Sequence, residues 1–118
     1  MGYCHIRLSN SSKPQIKTYQ NTNSAGINYF RKISTGKPHP EGYLKAASLL
    51  NVEPSDCLVF EDSPQGIRAA LGAGMKVIAL STTFPVEALS EAHACINNYE
   101  SLSITINGPH ISVKYRYH

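Results

Sequence analysis

Hydrophobic and polar positions become ordered only part-way along the chain. Ser9 to Gly26 reads SNSSKPQIKTYQNTNSAG, which is polar, lacks a clear period and carries turn and breaker residues. Residues 1–26 are therefore expected to form a poorly structured N-terminal segment. INYFRKIST, residues 27–35, suggests a short strand ending near Ser34. GKPHPEGYLKAASLL follows, and its two X-Pro units disfavour helix before them. Pro40 can open a helix at its first position, and Tyr43, Leu44, Ala47 and Leu50 then recur at helical spacing. NVEPSD is a loop. Cys57–Phe60, CLVF, is a short apolar run suited to a strand covered on both faces. Ser63 can cap a second helix with Pro64 at its first position, Ile67, Ala70 and Leu71 as its buried stripe, and Gly72 or Gly74 as its stop. Lys76–Leu80, KVIAL, reads as a second buried strand. STTFP then predicts a loop, VEALSEA a short helix and ACI a last strand, and the tail ISVKYRY alternates like an amphipathic strand.

Strand, helix and strand in such short units predict an α/β fold built on βαβ units, a parallel sheet and right-handed crossovers. Residues 27–105 form the expected core, and 106–118 a tail available as an edge strand. The 118 residues fit one domain, and the charged fraction of 16% with 42% hydrophobic residues argues against wholesale disorder. A net charge of +3 without a dense Lys/Arg block gives nucleic-acid binding little support. Lys114, Tyr115, Arg116 and Tyr117 are too short a stretch to change that. Cys4, Cys57 and Cys95 lack CxxC spacing, and a reducing compartment is the simplest inference. No apolar run approaches membrane-spanning length, so a cytoplasmic protein without membrane contact is expected. On that reading the sequon at Asn10 is a chance match.

The chemistry concentrates where the CLVF strand runs into Glu61 and Asp62. In an open parallel sheet, ligands bind outside the carboxyl ends of the strands. Two unpartnered charges buried there would be costly, and a divalent cation or a lysine removes the cost. Magnesium takes one or two carboxylates together with waters and substrate phosphate, and the turn at Ser63 offers helix N-terminal N–H groups to an anion. The plain alternative, that the acids cap a helix or face water, carries equal weight on pattern alone. Lys37, in the stiff loop Gly36-Lys37-Pro38-His39-Pro40, shifts the balance, because a lysine on a sheet rim can neutralise phosphate and carboxylate together. His39 beside it is a candidate substrate contact, against the plainer reading of a loop residue facing water. Ser81, Thr82 and Thr83 follow the end of the KVIAL strand and could approach the site, with loop caps at least as good a reading. The five histidines form no metal-ligand spacing with the cysteines.

GKPHPEGYL followed by CLVFEDSPQGIRAALGAGMKVIAL closely resembles the haloacid dehalogenase superfamily, in the branch of β-phosphoglucomutase and the small sugar- and glycerol-phosphate phosphatases. The resemblance runs from about Ile27 to Leu102. It implies a Rossmannoid three-layer α/β sandwich with a parallel sheet, and Mg²⁺-dependent phosphoryl transfer through an aspartyl-phosphate. By motif match, Lys37 would be the catalytic lysine that steadies the phosphoryl group. Asp62 would be a Mg²⁺ ligand and Glu61 a further ligand or its supporting partner. Lys37, His39 and Ser63 would face the phosphate of a small phosphorylated metabolite.

The family's nucleophile belongs to an Asp-x-Asp-Gly-Thr motif on the first strand. This chain has two aspartates, Asp56 and Asp62, and no Asp-x-Asp. The motif of the first strand is absent and the helical cap domain has no room, so the expectation is a C-terminal half of the family's core, lacking the N-terminal strand and cap and incomplete or inactive as this chain. Such a half-sheet would leave an apolar face and edge open unless residues 1–35 or a partner chain cover them. The leading reading is a hydrolase of small sugar or polyol phosphates. A phosphoglucomutase-like isomerase and a non-catalytic binding remnant are the alternatives.

Overall fold

Between residues 38 and 80 the helices and strands follow in the order that the periodicity predicts, and they set the frame for everything else. The computed structural model describes residues 2–9, 38–107 and 110–117. Helix α1 spans Glu41–Leu50, strand β2 Leu58–Glu61, helix α2 Pro64–Gly72, strand β3 Lys76–Leu80 and strand β4 Ala94–Ile96. β2, β3 and β4 form a parallel sheet in that order, with Phe60 opposite Ile78 and Ala79 opposite Cys95. The fold is therefore mixed α/β, with the βαβ unit that the alternation of elements implied.

The helix signals act locally. Ser63 has extended backbone, and its hydroxyl accepts the Gly66 N–H at 3.1 Å, so that α2 starts with Pro64 as its first residue. Ala73 follows the last helical residue, and Gly74 takes the left-handed conformation (φ 81°) that turns the chain back towards β3. Asn51 does the same after α1 at φ 55°, and its N–H donates to the carbonyls of Ala47 and Ser48. Pro40 sits at the cap of α1, one position before the helical residues, and its carbonyl accepts the Leu44 N–H at 3.0 Å.

Along the buried strands successive side chains serve opposite faces. Val77 and Ala79 of β3 pack with Ile67, Ala70 and Leu89 on the helical side. Ile78 and Leu80, with Ile96 of β4, turn to the other side. At the end of the sheet away from the acids, Ala47, Ala73 and Met75 form a third buried group against Tyr43, Val52, Cys57 and Val59.

The second face is where expectation and structure differ. Strand β1 spans Gly2–Ser9, β5 Ser103–Asn107 and β6 His110–Tyr117, and they form an antiparallel sheet in the order β1-β6-β5. β6 pairs with β1 from Ser9↔His110 to Gly2↔Tyr117, and with β5 from Asn107↔His110 to Ser103↔Lys114. The tail is thus the central strand of a sheet, not an edge, and the first residues of the 1–26 segment are a strand. Val113 and Tyr115 of β6 are buried against Ile78, Leu80 and Ile96, while Lys114 between them is exposed. The expected bare apolar face is closed from within the chain, because ISVKYRY places its apolar set on one side. The layers are helices, parallel sheet and antiparallel sheet.

Three smaller expectations are corrected. VEALSEA forms only a 3-10 turn, Val86–Leu89: Leu89 is its one buried apolar anchor, Ala92 is half-buried and the other residues are exposed. Leu44 faces outward, and Ala46 and Ala47 take the buried stripe of α1. β2 begins at Leu58 and includes Glu61, so Cys57 precedes it. The predicted strand at 27–35 lies outside the described residues.

Candidate active site at the carboxyl end of β2

Glu61 is the last residue of β2, and Asp62 and Ser63 form the turn into α2. The two acids part company here. Glu61 is 7% exposed and is the buried charged side chain of the described core, whereas Asp62 is exposed. Alternation explains it: β2 ends with Glu61 on the helical side, and the next residue leaves the sheet into solvent.

A buried carboxylate must be hydrogen-bonded to be tolerated. The Tyr43 hydroxyl, from the first turn of α1, donates to Glu61 Oε1. The Ser63 hydroxyl lies 3.5 Å from Oε2, at the limit of a hydrogen bond. Gly66 completes the seat: a Cβ there would run into the Glu61 carboxyl, so a side chain at this position would displace the carboxylate from where it lies. Burial, helped by the hydrogen bond to Glu61 and by the charges of Glu61 and Asp62, pushes the Tyr43 hydroxyl far above its usual range, so it stays protonated and donates.

Asp62 forms no hydrogen bond or ion pair among the described residues. It stands beside the N-terminus of α2, where backbone N–H groups favour anions. His39 is exposed, and its Nδ1 accepts the Glu41 N–H at 3.2 Å, so the ring caps α1. Lys37, Ser34 and Thr35 lie outside the described residues. Ser81 follows β3 and donates to Asn97 Oδ1 at 2.9 Å, which ties the β3 and β4 ends together. Among the described residues no three His, Cys, Asp or Glu side chains form a metal cluster.

Sequence reasoning missed Tyr43 and Gly66 as parts of this site. Tyr43 read as one more apolar residue of a helix stripe, and Gly66 passed as a residue of SPQG. The available signal was the cost of burying Glu61, which demands a donor from a neighbouring element.

The elements that carry Tyr43, Glu61, Asp62 and Gly66 lie inside a stretch of the chain that matches a known family. The model for haloacid dehalogenase-like hydrolases fits residues 8–74, more than half of the chain. This chain belongs to that family. It is 48% identical over 79 residues to validoxylamine A 7′-phosphate phosphatase of Streptomyces hygroscopicus subsp. limoneus, covering 67% of this chain and 35% of the relative. It is 35% identical over 74 residues to hexitol phosphatase A of Escherichia coli (strain K12), covering 63% of this chain and 34% of the relative. In structure it is similar to β-phosphoglucomutase from Clostridium difficile, with a TM-score of 0.56 and 33% identity over 62% of this chain and 31% of that one. The chain thus spans about a third of the length of the relatives it matches. No helix among the described residues is long and apolar enough to cross a membrane.

Proposed function

We propose that this chain carries the cation- and phosphate-binding half of a Mg²⁺-dependent phosphatase site for small sugar or polyol phosphates. The observation that carries the reading is the split between the two acids: Asp62 is presented to solvent at a strand end, on a base made rigid by the buried Glu61. One outward carboxylate suits magnesium, which typically takes one or two carboxylates and fills its remaining positions with water and substrate phosphate. Magnesium, when bound, offsets the negative charge of the phosphoryl group. Asp62 would hold it, the N–H groups at the start of α2 would take phosphate oxygens, and Lys37 would add the cation that the motif match assigns to it. Glu61 acts as support rather than as an outward ligand. The substrate class follows the relatives, which include a validoxylamine A 7′-phosphate phosphatase and a hexitol phosphatase by name. Hydrolysis through the family's route needs an Asp-x-Asp nucleophile, and these 118 residues do not contain one. The reading therefore assigns binding to this chain and makes turnover depend on a carboxylate from elsewhere.

The test is calorimetric titration of the full chain with orthophosphate, with and without Mg²⁺. Phosphate uptake that requires Mg²⁺ and is lost in Asp62→Asn is expected. Uptake that is indifferent to Mg²⁺ or to that substitution contradicts the reading.

A further inference from the structure

Two sequence stretches, PHPEGY and FEDSPQG, come together through one side-chain contact, Tyr43 to Glu61, across 18 positions of chain. The contact is more specific than packing requires. The Tyr43 ring already packs with both helix-side groups, the one that contains Ile67 and the one that contains Ala47. A phenylalanine would supply that packing. The hydroxyl is the group that meets the carboxylate, and the carboxylate occupies the space that a side chain at position 66 would take. Three residues from α1, β2 and α2 thus build a seat whose occupant is the residue immediately before Asp62.

We propose that Tyr43 is a positioning residue for the cation site: by holding Glu61 inward over Gly66, it fixes the turn from which Asp62 presents its carboxylate. The inference rests on the reading of Asp62 given under Proposed function and adds the element that orients it. Without the hydroxyl, Glu61 loses the Tyr43 donor to Oε1 in a buried place, and the carboxylate and the Glu61–Asp62–Ser63 turn shift with it. Partners that orient metal ligands in this way are commonly worth ten- to a hundredfold in metal affinity.

The experiment uses Mn²⁺ as the probe, with free ion followed by electron paramagnetic resonance, on the full chain. Wild type, Tyr43→Phe, Glu61→Gln, the double variant Tyr43→Phe/Glu61→Gln and Asp62→Asn are compared, with the thermal midpoint of each. Asp62→Asn is expected to lose the ion. Tyr43→Phe is expected to weaken binding about tenfold or more. The double variant is expected to bind no worse than Glu61→Gln alone, because Tyr43 acts through Glu61. Should Tyr43→Phe fail to fold, Gly66→Ala displaces the same carboxylate and is expected to give the same loss. Unchanged Mn²⁺ affinity in Tyr43→Phe, or fully additive losses in the double variant, overturns the role of Tyr43 while the reading of Asp62 stands. No uptake by wild type, or unchanged affinity in Asp62→Asn, overturns that reading and this inference together.

Discussion

The two faces of the parallel sheet are closed by different means. On one face α1 and α2 cover Val59, Val77 and Ala79, and they come from residues inside the stretch that the family model matches. On the other face β6 covers Ile78, Leu80 and Ile96, and it comes from residues beyond that match. The helical face carries the candidate site, since Tyr43, Glu61 and Gly66 all meet there. Among the described residues the strand face carries none of these groups, and its buried side chains keep apolar surface from water. On the proposed reading, binding and the closing of the core are separable, and substitutions on the two faces should have different signatures.

The largest effect is expected at β6. Val113→Asp puts an unpaired charge at a fully buried position, and loss of the cooperative thermal transition is expected in circular dichroism. A transition unchanged from wild type would mean that β6 does not close the second face. Next come the cavities. Ile78→Ala and Ile67→Ala, one for each face, should each cost about 2–5 kcal/mol in chemical denaturation. If the second face is truly part of one core, the two costs will be similar. A small cost at Ile78 alone would break the symmetry of the comparison.

The thiols offer a milder probe of pH. Burial, with the nearby Asp56 charge, raises Cys57 above the usual thiol range. Burial also raises Cys95, against the opposing pull of the Ser81 hydrogen bond. The sign follows from the uncharged thiol being the favoured folded form. Stability from these groups is complete below the unfolded-state thiol pKa and is lost as pH rises towards and through the higher folded values. In a Cys4→Ser background, alkylation at pH 7 should be slower than that of a free thiol and should accelerate above pH ~9. The smallest effect is expected for Arg68→Ala. Its pair with Glu91 at 3.2 Å lies between side chains that are 58% and 54% exposed, so a change within about 0.5 kcal/mol is expected in denaturant unfolding.

Legibility in the sequence also divides along the two faces. KVIAL, ACI, the Ser63 cap and the Gly74 turn were readable because each rests on local chemistry: an apolar run, a hydroxyl at an N-cap, a backbone that needs positive φ. The position of Asp62 at a strand end followed from the same reading. Tyr43 was not legible as part of the site, because a tyrosine in a helix stripe looks the same whether its hydroxyl meets water or a carboxylate. Residues 2–9 were not legible as a strand, since their order depends on pairing with β6 more than a hundred positions away along most of the register. ISVKYRY showed its alternation but not its neighbours, so a central strand looked like an edge. Long-range pairing and side-chain contacts between elements were thus the parts that local pattern does not encode.

The most direct test is site-resolved. Mn²⁺ added to the isotopically labelled full chain broadens backbone amide signals near wherever it binds. The account predicts early broadening at Asp62, Ser63 and Gly66, with the Val113 and Tyr115 signals on the opposite face kept sharp, and loss of the effect in Asp62→Asn. Broadening centred on another region, or spread evenly over both faces, would contradict it.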